Sequence, residues 1–193
     1  MEKFLFQPVK PFIINQRFGE NQACVDIATG KKVITCDGNN PPAGYKSLYG
    51  AGGHKGMDLA AKHGQSVYNA GDGVVDAIDT NPKSGLDVKV ISEHKGVRVK
   101  HIYEHLLGYQ PKIGDKLKVG DLIGWADNTG YSAGDHLHFE TQVWDAKGKK
   151  WIPTNPMLLM EPIFALTFAG MWRQVQEAIA KLAEYIADKN HKK

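Results

Sequence analysis

The residues with the clearest chemical potential are His136 and His138, set between Leu137 and Phe139 in the stretch Gly-Asp-His-Leu-His-Phe-Glu, residues 134–140. On a β-strand, side chains two apart share a face, so the two imidazoles point one way and Leu137 and Phe139 the other. Neighbouring imidazoles lose hydration and repel when both are protonated. A divalent metal with a catalytic partner makes such a pair worthwhile. A second constellation is His54-Lys55-Gly56-Met57-Asp58, preceded by Gly52-Gly53. The glycines disfavour a helix, so His54 and Asp58 are expected to meet through a turn. With one of the two strand histidines they make a three-ligand set of imidazole and carboxylate. Three protein ligands leave a fourth position for water, as at a catalytic zinc. The third piece is Tyr103-Glu104-His105-Leu106. A strand from Val97 through His105 places Val97, Val99, His101, Tyr103 and His105 on one face, with His105 at its end in reach of a metal-bound water. Taken singly, each piece also has a plain structural reading, such as a surface strand rich in histidine or a loop histidine bonded to Asp58.

The elements that must position these groups read as β-structure. Short runs with strand alternation, at 66–68, 74–78, 88–91, 97–103, 116–125 and 137–143, are punctuated by glycine, and His94-Lys95-Gly96 reads as a turn. Their even spacing predicts a compact antiparallel barrel or sandwich, a mostly β fold with long loops. Residues 1–20 read as an extended arm ending in a turn, because Pro8 and Pro11 discourage a helix. Residues 21–53 are irregular and rich in Gly, Asn and Pro, and a segment of that length suits a substrate wall or a plain connector. In it, Tyr45 and Tyr49 offer stacking surfaces. These two, with Tyr103 and Asn128, are the candidate substrate-binding residues. At the far end Trp172, Val175, Ile179, Leu182 and Ile186 recur at helical spacing. That predicts an amphipathic C-terminal α-helix over 171–188, suited to packing, self-association or partner docking, followed by a basic tail.

Composition narrows the function classes. A length of 193 residues allows one domain with an appendage, read here as a domain over 1–160 and a helix and tail over 161–193. The formal charge of +3 argues against nucleic acid as a partner. Cys24 and Cys36 lack the C-x-x-C pairing of a cysteine metal site, and are spaced to close a small loop in an oxidising compartment or to remain thiols in a reducing one. No run is long enough to span a bilayer, and the opening residues lack the pattern of a signal peptide.

Together, in this order, His54-x-x-x-Asp58, Tyr103-x-His105-Leu106 and His136-x-His138 resemble the lysostaphin-type zinc metalloendopeptidases that cut peptidoglycan. The flanks agree: Arg17-Phe18-Gly19, Gly56-Met57-Asp58-Leu59-Ala60, and Asn128-Thr129-Gly130-Tyr131-Ser132-Ala133-Gly134. The segment from Gly114-Asp115 to Gly120-Asp121-Leu122-Ile123-Gly124 resembles the family's half-barrel repeat, related to biotinyl-type hybrid barrels. The resemblance covers about residues 10–160. It implies Zn2+ held by His54, Asp58 and His138, with His105 and His136 as the catalytic pair. It also implies hydrolysis of peptide bonds in the stem peptides or cross-bridges of bacterial peptidoglycan. Activity at the cell wall without a signal peptide suits a phage-encoded or virion-associated enzyme. The alternatives are a non-catalytic wall-binding or hydrolase-activating module and a virion tail component. One departure is Asp135, which stands where the family commonly has proline before the first histidine of the pair.

Overall fold

The computed structural model describes residues 4–20, 23–25, 32–35 and 53–161. Tyr45 and Tyr49 of the expected wall, Cys36, and the helix over 171–188 lie outside the described residues.

The described strands are β1 (Ile14–Gln16), β2 (Ala23–Val25), β3 (Lys32–Thr35), β4 (Gly56–Ala60), β5 (Ser66–Tyr68) and β6 (Gly73–Asn81). They continue with β7 (Gly85–His94), β8 (Val97–Tyr109), β9 (Lys116–Leu117), β10 (Leu122–Ala126), β11 (His136–Asp145) and β12 (Lys150–Thr154). Ten form one sheet whose main path runs β1-β4-β11-β8-β7-β6-β9, with β12 against β11 and β10 bridging β8 and β5. All the pairings between these strands are antiparallel. The mostly β, antiparallel reading therefore holds, in the form of an open sheet. Two details differ from expectation. The segment 21–53 is not irregular throughout, because β2 and β3 pair within it. Residues 56–60 form a strand rather than a turn, so Asp58 lies inside β4. Gly56 hid that strand, yet it is required there: a Cβ would stand 2.5 Å from the carbonyl oxygen of Phe139 on β11.

Hairpin β7–β8 turns at Lys95 and Gly96, with φ of 50° and 78°. Two successive positive φ values make the tight turn whose twist matches that of paired strands. The alternation of β4, β11 and β8 separates two faces. Met57, Leu59, Leu137, Phe139 and Tyr103 enter the apolar core, joined by Val88 and Val90 of β7. Leu5 and Val9 of the N-terminal arm close that core from below, together with Leu159 and Met160. The arm is tied in by backbone bonds from Phe4 and Leu5 to the carbonyl of Leu159 and from Phe6 to that of Ala70. Full burial of a side chain such as Phe139 contributes about 2–3 kcal/mol.

One polar chain runs through this core. Ser92 Oγ donates to the carbonyl of Asp72 at 2.6 Å, so it accepts from His101 Nε2 at 2.7 Å. His101 is thereby the Nε2–H tautomer, and its Nδ1 accepts from the Tyr103 hydroxyl at 2.8 Å. That hydroxyl also lies 3.1 Å from Asn69 Oδ1 and accepts from the amide of Ala70 at 2.8 Å. Complete burial pushes the His101 pKa down to about 3.

The pH dependence follows from linkage. As pH falls below about 6.5 the unfolded chain binds a proton at residue 101 while the folded chain does not. The contribution of His101 is constant above that pH. Its effect is a stability loss approaching about 1.4 kcal/mol per pH unit at the steepest, down to the folded pKa near 3. In denaturant titrations, H101Q is expected to reduce the slope of stability against pH between about 6.5 and 4. An unchanged slope refutes this account of the buried imidazole.

Candidate metal centre

The site is built by register. On β11, His138 sits directly opposite Asp58 of β4 and Glu104 of β8, so three strands present these side chains in one row. Two residues along, His136 pairs with Ala60 and lies on the same face. His54 precedes β4 and is set by the turn at Arg17–Glu20. Its amide donates to the carbonyl of Glu20, and its carbonyl accepts from the amide of Gly19, whose φ is +80°. His54 Nδ1 donates to the carbonyl of Arg17 at 3.1 Å, which turns Nε2 toward Asp58.

His54 Nε2 lies 3.0 Å from His138 Nδ1, His138 Nδ1 lies 2.9 Å from Asp58 Oδ1, and His54 Nε2 lies 3.2 Å from the same oxygen. A tetrahedral zinc with bonds of about 2.0–2.1 Å separates its ligand atoms by roughly 3.3 Å. The triangle is therefore the right size and donor type for zinc. His136 Nε2 approaches the same oxygen at 3.4 Å. Burial would raise the pKa of Asp58, but hydrogen bonds from His136, His138 and His54 outweigh it and hold the carboxyl well below its usual range. Burial likewise opposes the protonated form of His138, and is outweighed by its bond to Asp58 and by the charges of Glu104, Asp58 and Glu140, so its pKa is raised.

His105 reaches the site by a different device. Simple alternation places it on the core face with His101 and Tyr103. The register of β7 and β8 shifts between Leu86↔Leu106 and Val88↔Tyr103, leaving Glu104 and His105 opposite Asp87 alone. This is a β-bulge, and His105 occupies it with φ of 62°. The extra residue turns the imidazole to the side of Glu104, where its ring centre lies 4.7 Å from that of His136 and 6.0 Å from that of His138. His105 Nδ1 donates to the carbonyl of Thr129 at 2.7 Å, leaving Nε2 as the basic nitrogen. Burial, aided by the neighbouring His136, pushes its pKa down to about 4. At neutral pH the ring is uncharged. His136 moves the other way: burial is outweighed by Asp58 and by the carbonyl of Gly134, 2.8 Å from Nδ1, so its pKa is raised.

These groups line an open cleft of about 860 Å³ that continues along the sheet face past Glu104, Glu140 and Gln142. The structure thus brings His54, Asp58, His105, His136 and His138 into one cleft. Of the candidate substrate residues, Tyr45 and Tyr49 lie outside the described residues, and Tyr103 and Asn128 do not line the cleft. Tyr103 is 0% exposed and its hydroxyl is committed to the core network, because it falls on the opposite face of β8. Asn128 is exposed on the loop after β10 and is not among the residues lining the cleft. Among cleft residues the sequence reading missed, Glu140 was accessible as the next alternate position after His138. Glu104 was obscured by the bulge beside it. Tyr131, exposed on the cleft wall, lies in a glycine-flanked stretch already singled out.

A family model described as peptidase family M23 matches residues 52–153. Among curated proteins, the chain is 37% identical over 106 residues to the glycyl-glycine endopeptidase ALE-1 of Staphylococcus capitis, covering 50% of this chain and 29% of that protein. Among solved structures, a zinc-containing peptidase from Vibrio cholerae aligns with a TM-score of 0.55 and 29% identity, over 78% of this chain and 38% of that one. The catalytic domain of lysostaphin from Staphylococcus simulans aligns with a TM-score of 0.50 and 26% identity, over 75% of this chain and 91% of that domain. The chain thus spans about a third of the length of the full-length relative and of the Vibrio structure.

The close approach of β4 and β11 sets a test of the centre. In G56A the new Cβ would stand 2.8 Å from His138 Nε2 as well as against the strand backbone. The variant is expected to lose about 1–3 kcal/mol of stability and to surrender zinc to a chelator faster than the parent. Unfolding midpoints and chelator resistance equal to the parent's would refute the claim that this glycine sets the position of His138.

Proposed function

Because the chain belongs to peptidase family M23, we propose that it is a zinc-dependent endopeptidase that hydrolyses peptide bonds in bacterial peptidoglycan, in stem peptides or cross-bridges. The observation that carries this reading is the convergence of His54, Asp58 and His138, with ligand atoms within 4.8 Å of one another, beside His105 and His136 in a single open cleft. The chain would act at the bacterial cell wall. Its similarity to a glycyl-glycine endopeptidase and the glycines at 130 and 134 on the cleft wall favour a cross-bridge of small residues, whose backbone approaches closely.

His54, Asp58 and His138 would hold the zinc. When bound, zinc supplies Lewis acidity at the scissile carbonyl and acidifies water there. The remaining chemistry falls to the two other histidines, and their surroundings divide the work. His105 is neutral, with its Nδ1 proton committed to Thr129, so Nε2 accepts the proton of the attacking water. His136 is held at Nδ1 by the carbonyl of Gly134, so its protonated form presents Nε2–H to the developing oxyanion or to the leaving amine. Both rings are oriented by backbone carbonyls, which fixes them before substrate arrives.

H138A is expected to lose zinc and wall-lytic activity together. H105A is expected to keep near-parental zinc content while turnover falls by about 10²-fold or more. Loss of zinc in H105A would reverse the assignment of ligand and base. Mass spectrometry of muropeptides released from walls of several cross-bridge types identifies the bond. If zinc-loaded protein releases no muropeptide from any of them, the proposed activity is wrong.

A further inference from the structure

A second cluster with ligand character lies beside the cleft, and of its three members Asp135 also lines the cleft. His63, in the loop between β4 and β5, Asp127, just after β10, and Asp135, just before β11, each offer one ligand atom, all within 4.8 Å of one another. His63 Nδ1 lies 2.7 Å from Asp127 Oδ1. Among the described residues, no lysine or arginine pairs with either carboxylate, although Asp72, Asp76, Asp79 and Asp87 each have a lysine partner. Two carboxylates are thus drawn together from separate segments with one imidazole between them and no side-chain cation opposite.

We propose that His63, Asp127 and Asp135 form a second divalent-cation site, distinct from the cleft centre. Mixed imidazole and carboxylate donors suit a borderline first-row cation such as Zn2+ better than Mg2+ or Ca2+, which prefer all-oxygen shells. The exposure of His63 and Asp135 leaves coordination positions to water and makes the site weaker than the buried one.

Its position gives it a consequence for the cleft. The amide of Asp127 donates to the carbonyl of His105, and its carbonyl accepts from the amide of His136. A cation joining Asp127 to Asp135 closes the base of the loop they bracket, and that loop supplies Tyr131, Ser132, Ala133 and Gly134 to the cleft wall. The second site is a staple on the wall of the first.

The test counts metal on the full chain. Parent, H63Q and D135N proteins are dialysed to equilibrium against a series of buffered free Zn2+ concentrations, and bound zinc is measured by elemental analysis. Both side chains are exposed, and circular dichroism checks that each variant is folded. H63Q and D135N are each expected to bind one equivalent less than the parent at the upper end of the series. That difference holds whether or not the cleft binds zinc, so it is separable from the proposed peptidase activity. Zinc at those concentrations is also expected to slow amide exchange over residues 130–135 in the parent and not in H63Q. Equal stoichiometry in all three proteins, or equal exchange protection in parent and H63Q, overturns the proposal.

Discussion

The register that sets β11 between β4 and β8 is the constraint from which the site follows. Strand side chains alternate, so a one-residue slip of β11 against β4 and β8 would send His136 and His138 into the core and bring Leu137 and Phe139 out. The apolar face resists that slip because Met57, Leu59, Leu137 and Phe139 are all buried together on the other side. Burial of those four side chains, at about 1.5–3 kcal/mol each, opposes the slip independently of the polar row. The geometry of the candidate metal centre is in this sense specified by the hydrophobic residues between its side chains. Leu137 and Phe139 are as much part of the centre as the histidines they separate.

Much of this was legible in the sequence because it depends on period. The shared face of His136 and His138 and the burial of Leu137 and Phe139 follow from strand alternation alone. Asp58 was legible as a partner but not as a strand residue, because Gly56 reads as a turn former until the carbonyl of Phe139 is seen to occupy the space a side chain would need. His105 and Tyr103 were misplaced relative to each other for a single reason. A bulge adds one residue, and everything after it changes face. No local propensity marks that insertion, since histidine at φ of 62° is tolerated rather than preferred. The strain is borne where a basic nitrogen must be turned into the cleft.

His105 and His136, the pair proposed for the chemistry, differ only in their neighbours. His105 is desolvated and repelled by an adjacent imidazole, whereas His136 leans toward a carboxylate. The pKa values of identical side chains 4.7 Å apart are thereby shifted in opposite directions, an asymmetry that suits the proposed acid–base pair. The buried His101 illustrates the contrast within one strand. Four residues from His105, it faces the core and serves only to join Ser92 to Tyr103.

The grip of the Arg17–Glu20 turn on His54 bears on how this fold can be cut and recombined. The span matched by the family model begins at residue 52, yet the carbonyls that position His54 lie 37 and 34 residues upstream of it, at Arg17 and Glu20. A chimera joined at the boundary of sequence similarity would carry every candidate ligand but leave the first one unheld. The unit that can be transplanted intact therefore starts at the arm, and grafting experiments that respect only the motifs would move the proposed catalytic residues without the scaffold that aims them.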